Sequence, residues 1–154
     1  MQSMLYKTRI PFLIFFSLCS ALMSYAQEGI SLRDGRYEVF YTTFNSSFIT
    51  PEVAKAYGFV RGSNRALINV AVIETLSDGK TRNVNADIKA SVNDLIYNQP
   101  LKFKRIQEQA SIYYIAPFKI NHKIDVYFDL QIRPENSNKT IDLKFKKRLY
   151  HDGK

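Results

Sequence analysis

Apolar and polar positions alternate along most of this chain, and the period is two. The run from Lys123 to Arg133 is the clearest. Ile124, Val126, Phe128, Leu130 and Ile132 fall on one side, and Asp125, Tyr127, Asp129, Gln131 and Arg133 on the other. Successive side chains of a strand point to opposite faces, so this run predicts a strand with one buried face. Thr140 to Tyr150 repeats the pattern, with Ile141, Leu143, Phe145 and Leu149 set against Asp142, Lys144, Lys146 and Arg148. Arg82 to Val92 alternates Val84, Ala86, Ile88, Ala90 and Val92 with polar partners. Ala66 to Thr75 is almost continuously apolar, which predicts a strand covered on both faces.

Shorter runs at 36–44, 101–106 and 110–119 bring the expectation to about seven strands. Pro117 places the last of these at an edge or a strand end, because proline cannot donate to a ladder. Ser77-Asp78-Gly79-Lys80 is a hairpin turn signal, since Asp-Gly tolerates the positive φ of a tight turn. Residues 27–35 read as a loose lead-in, and 93–100 and 134–138 as connections. The pattern predicts one all-β domain, an immunoglobulin-like antiparallel sandwich with one short helix. A small β-barrel is the alternative.

The helix comes from Phe44-Asn-Ser-Ser-Phe-Ile-Thr-Pro-Glu-Val-Ala-Lys-Ala-Tyr-Gly58. A threonine hydroxyl accepts a bond from a free first-turn amide, and proline next to it gives up an N–H that would have no partner. Glu52 suits the positive end of the helix dipole, and Gly58 suits the left-handed residue that ends a helix. The prediction is a helix over 51–57 capping one end of the sandwich. The same run, with RGSNRALINVAV (61–72) and SIYYIAPF (111–118), resembles the signature of a family of small exported proteins of Gram-negative bacteria. That family is catalogued as a domain of unknown function. The resemblance extends over about residues 34–150, and it implies an envelope protein without assigning an activity.

The first 26 residues read as a secretory signal. Lys7 and Arg9 precede an apolar run from Ile10 to Met23, and Ser24-Tyr25-Ala26 supplies small residues for a peptidase. That run is too short to span a bilayer as a helix. Leu18 before Cys19 is too bulky for a lipid-modified signal. Cleavage after Ala26 is expected, leaving 27–154 as the domain and a periplasmic protein without an anchor. Two of the 22 bases and none of the 14 acids leave with the signal, so the net charge falls from +8 to +6. Cys19 and the three methionines leave too, and there is no Trp. The exported domain therefore forms no disulfide and offers no sulfur ligand, and its apolar core must hold it together.

Candidate chemistry is sparse. Serine catalysis needs a base beside an activated hydroxyl. The two histidines, His122 in a polar turn and His151 near the end, form no such pair and no metal-ligand spacing. No G-x-S-x-G elbow or phosphate loop is present, so no catalytic residue, metal or cofactor is expected. The expectation is a non-catalytic binding or adaptor module whose partner is an envelope protein or an anionic envelope component. Nucleic acid is excluded by export. The contact surface would be the loop end carrying Asn45, Ser46, Ser47, Thr50, Glu52, Arg61, Asn64 and Arg65, because loops on a rigid sandwich commonly bind. Two alternatives stand beside it. One is an envelope-polymer hydrolase using carboxylates such as Glu52. The other is an electrostatic binder working through the basic stripe of Lys144, Lys146, Lys147 and Arg148. The bland account of that stripe is edge protection, in which outward lysines block strand-to-strand aggregation.

Overall fold

The computed structural model describes residues 30–120 and 124–150. The signal segment, His122 and His151 lie outside them. Two antiparallel sheets face each other. The first is ordered β1 (Ile30–Asp34), β2 (Tyr37–Asn45), β3 (Arg65–Thr75), β8 (Ser111–Lys119), β7 (Lys104–Glu108), with β4 (Thr81–Asn83) pairing the far end of β3. The second is ordered β10 (Ile141–Leu149), β9 (Ile124–Pro134), β5 (Ala86–Asn93), β6 (Asn98–Leu101). This is an antiparallel sandwich and not a closed barrel.

The alternation maps onto burial. Val39 and Tyr41 from β2, Ile68, Val70 and Val72 from β3, and Tyr114, Ala116 and Phe118 from β8 meet Val126, Phe128, Leu130 and Ile132 of β9 and Leu143 of β10. Four rings run through this core from one sheet to the other and back. Tyr41 meets Phe145 at 4.5 Å, Phe145 stacks on Phe128 at 4.5 Å and 11°, and Phe128 meets Phe118 edge-on at 5.3 Å. At the far end, the core side of β3 finishes on a buried carboxylate, Glu74. Arg36 Nε lies 3.1 Å from it and Arg82 grips its other oxygen at 2.8 Å.

The structure corrects the sequence reading at four places. First, residues 30–34 are a strand, not a lead-in. They pair with β2 across an Asp34-Gly35 turn whose glycine has φ of 61°. Second, the run 82–92 is two strands, because the chain leaves the first sheet after Asn83 and joins the second at Ala86. Val84 N–H bonds Val72 O at 3.0 Å, and Ala86 N–H bonds the Tyr114 hydroxyl at 2.8 Å, so the corner is held on both sides. Third, the chain crosses back between Leu101 and Lys104, which splits 98–108 into β6 and β7. Together these changes give ten strands among the described residues.

Fourth, the helix α1 (Pro51–Tyr57) does not cap the open end. It lies against the outer face of the first sheet, where Lys104 Nζ donates to Tyr57 O at 2.6 Å and the Tyr57 hydroxyl bonds Glu108. Leu67 and Ile106 point away from the main core and yet are buried, as is Ala54 on the helix. Tyr57 reaches from Lys104 to Glu108 on either side of Ile106, so α1 adds a second layer on that part of the outer face. Further along β3, Ala71 and Ile73 on the same face are half-buried and line an open depression.

Candidate functional site

Strand register collects one group of connections at a single end of the sandwich. β2 ends at Asn45, β3 begins at Arg65 and β8 ends at Lys119, and these termini are neighbours in the first sheet. In the second sheet Asn93 pairs with both Asn98 and Tyr127. The Gln99 side chain bonds both Lys119 O and Lys119 N–H, at 3.1 and 3.2 Å, so the two sheets share this end.

Most of the loop residues singled out above are fastened here. Asn45 Nδ2 donates to Tyr150 O at 3.0 Å, tying the end of β2 to the residue after β10. Ser46 is fully buried. Its hydroxyl donates to Gly62 O at 3.1 Å and accepts from Gly62 N–H at 3.0 Å, which closes the 46–62 connection like a clasp. Ser47 O accepts from Arg61 at 3.1 Å. Asn64 O accepts from Ile120 N–H at 3.0 Å, so the backbone of the 61–65 loop is fixed to the strand beside it. Glu52, Arg61 and Asn64 stay exposed on this frame, and Arg65 is half-buried at the start of β3.

The helix ends as its residues dictate. Thr50 is extended, its hydroxyl accepts from Val53 N–H at 3.3 Å, Pro51 is the first helical residue, and Gly58 turns left-handed at φ of 69°. Thr50→Ala is expected to cost about 1 kcal/mol and Thr50→Ser much less, because serine keeps the acceptor. On a domain of this length that lowers the melting temperature by about 4 °C. Equal melting of Thr50→Ala and wild type would refute the cap. Glu52 has its carboxyl held below the usual carboxylate range. Its own backbone N–H contributes most, followed by the Thr50 hydroxyl and the Arg61 charge. A general acid at neutral pH needs the opposite direction.

The basic stripe lies elsewhere, along β10, which forms the edge of the second sheet. Register sets it opposite the acidic row of β9. Lys144 Nζ lies 2.9 Å from Asp129, Lys146 Nζ lies 2.7 Å from Asp125, and Arg148 forks onto Asp125 at 2.6 and 2.9 Å. Lys147 alternates onto the core side of the pleat and is exposed. An inward-side charge on an edge strand is a recognised guard against pairing with another sheet. A depression of about 540 Å³ beside the stripe is lined by Lys144, Lys146, Asp129, Tyr127, Asn93 and Asn98, among others.

The guanidinium of Arg148 and then the ammonium of Lys146 hold the Asp125 carboxyl far below its usual value. A carboxylate depressed in the fold adds stability above its unfolded pKa of about 3.9, and that stability is lost as pH falls through the folded value. Asp125→Asn should therefore melt below wild type at neutral pH, and the gap should close as the solution is acidified. A gap that stays constant in melts across the acid range would contradict the pairing.

This end carries one further feature, which its reading as a polar connection does not convey. Residues 94–97, which join β5 to β6, carry Leu95, Ile96 and Tyr97 at 77, 80 and 63% exposure. The signal was three apolar residues in succession inside a polar connection. Among the described residues, no three His, Cys, Asp or Glu side chains gather as a metal set.

A family model described as a domain of unknown function (DUF4426) matches residues 31–152. The chain belongs to the DUF4426 family. A DUF4426 protein from Pseudomonas aeruginosa PAO1 of known crystal structure is 33% identical, with a TM-score of 0.72 over 84% of this chain and all of that one. FetP of uropathogenic Escherichia coli strain F11, expressed recombinantly in the periplasm, is 11% identical, with a TM-score of 0.55 over 79% of this chain and 93% of its own. A copper-bound FetP variant is 9% identical, with a TM-score of 0.54 over 80% of this chain and 90% of its own. At that identity the likeness to FetP concerns the fold. No curated protein matches the DUF4426 chain significantly. The clasp, the cap and α1 all fall inside the DUF4426 match.

Proposed function

We propose that this protein is a non-catalytic binding or adaptor module of the periplasm, and that its contact surface is the 45–65 end of the sandwich. The observation that carries this reading is the fastening of that end. Ser46 to Gly62, Asn45 to Tyr150 and Thr50 to Val53 hold the connections in one conformation, so Glu52, Arg61 and Asn64 are presented on a fixed frame. Presenting groups in a fixed array lowers the ordering cost of binding. The charged, apolar, small-residue order of residues 1–26 supports export. No helix among the described residues is long and apolar enough to cross a membrane. The pairing of Lys144, Lys146 and Arg148 with β9 acids favours this end over the basic stripe, because paired charges attract anions less.

The test is affinity capture from envelope extracts with wild type and an Arg61→Glu/Asn64→Ala variant whose melting temperature matches. Loss of specific partners from the variant is expected. Recovery of the same proteins at the same yield would remove this surface as the contact.

A further inference from the structure

The β5–β6 tip has features that the adaptor reading does not use. Its three apolar side chains stand in water. Their exposure works against the hydrophobic effect unless something else covers them.

The backbone beneath them is closed. Leu95 N–H donates to Asn93 Oδ1 at 2.6 Å. Ile96 and Tyr97 N–H both donate to Asp94 Oδ1, at 3.1 and 2.7 Å, and Asp94 N–H donates to Tyr97 O at 3.2 Å. All four amide donors of the tip are thus satisfied within it, and in an apolar layer each unsatisfied donor would cost several kcal/mol. A groove on a protein could bond those amides itself. A lipid layer cannot. Leu95 also sits at φ of 73°, where a bulky residue is rare and glycine or asparagine would be easier. The tip therefore holds a large apolar side chain at a strained position that contributes nothing to the core.

Charge completes the picture. Arg65 and Lys119 stand at the same end of the sandwich, with Arg61 in the connection that leads to Arg65, while Lys55 and the acidic Glu52 lie on α1 and Asp94 is turned onto the tip amides. Nearby, Asp125 is already paired with Lys146 and Arg148. Cations around an apolar point fit an anionic surface with an apolar interior, and tyrosine favours the boundary between the two.

We infer that the β5–β6 hairpin tip docks this protein on anionic phospholipid by inserting Leu95, Ile96 and Tyr97 into the interfacial layer. This goes beyond the adaptor reading and does not depend on it. The inserted tip anchors the domain reversibly, since three side chains provide far less than a spanning helix.

The experiment uses the protein purified from the periplasm, with its amino terminus fixed by mass spectrometry so that no apolar leader contributes. Sedimentation with vesicles of phosphatidylglycerol and phosphatidylethanolamine should recover wild type. A Leu95→Gly/Ile96→Ser variant, with an undiminished melting temperature, should bind roughly tenfold more weakly or worse. The chain has no tryptophan, so Ile96→Trp is a background-free reporter, and its emission should shift to the blue on vesicles. Three outcomes would overturn the inference. They are no recovery of wild type, equal recovery of the tip variant, and an Ile96→Trp emission unchanged by vesicles. Binding that salt abolishes and the tip substitutions leave unaltered is charge adsorption, and it counts against insertion too. No protein partner takes part, so failure here leaves the 45–65 contact standing, and failure of affinity capture leaves the tip standing.

Discussion

Phe128→Ala should lower the melting temperature by about 15 °C, the largest effect expected of any single substitution considered. Phe128 is the hub of the ring series. It stacks on Phe145 of the neighbouring strand and meets Phe118 of the opposite sheet edge-on, while being 2% exposed. Truncation removes its burial and leaves a cavity that two stiff β-strands cannot collapse, at a cost of about 3–5 kcal/mol. Domains commonly have about 5–15 kcal/mol in total, and the residues expected after signal cleavage contain no cysteine to staple a weakened core. Phe128→Leu, which keeps most of the volume, should cost under about 2 kcal/mol. Chemical denaturation of the pair checks the ranking. If the alanine variant proves no worse than the leucine variant, the rings do not join the sheets as described.

The second large effect concerns Glu74, and its signature is an asymmetry. Arg36 and Arg82 are each more than half exposed, whereas the carboxylate between them is 6% exposed. Removing both cations leaves a buried charge without partners. That should cost about 2–3 kcal/mol, below the usual figure for a broken buried pair because solvent reaches this end of the sandwich. Removing the anion lets the two arginines return to water, so Glu74→Ala should cost less than Arg36→Ala/Arg82→Ala. Adding Glu74→Gln to the double variant should restore part of the loss. Denaturation midpoints of the three proteins decide the matter, and a Glu74→Ala protein less stable than the double variant would reverse the account.

Period-two patterning located β9 and β10 to within a few residues, because each buries one face along its length, and apolar, aromatic and β-branched runs located β2, β3 and β8. The period could not see the corners. A strand that bends from one sheet to the other keeps its inward side chains inward, so Val84, Ala86 and Ile88 alternate straight through the crossing. The second crossing did leave a trace. The Lys104-Arg105 doublet breaks the period, and Ile106 then falls on the outer face beneath α1. Strand β1 was missed because it is an edge strand with only Leu32 packed on the core. Its Asp34-Gly35 turn carried the same signal as Asp78-Gly79.

At the candidate site, the cap and the helix were legible because their chemistry is local. Ser46 was legible as a hydroxyl but not as a clasp, since its partner Gly62 lies across the connection. The neutralisation of the basic stripe depends on register, where a slip of one residue would carry Lys144 away from Asp129. No single-strand pattern contains that information.

The pairing of β5 with β9 also governs when this protein can fold. Ala86 is matched with Pro134 and Asn93 with Tyr127, so the middle of the second sheet waits for a strand near the end of the chain. The early hairpins β1–β2–β3–β4 are sequence neighbours and can pair as they are made, yet the facing sheet that completes their core is still missing. Folding dominated by distant partners is slow, on the scale of milliseconds to seconds. Until β9 and β10 emerge, the polypeptide has no complete core, and its early hairpins stay one-sided and free to open.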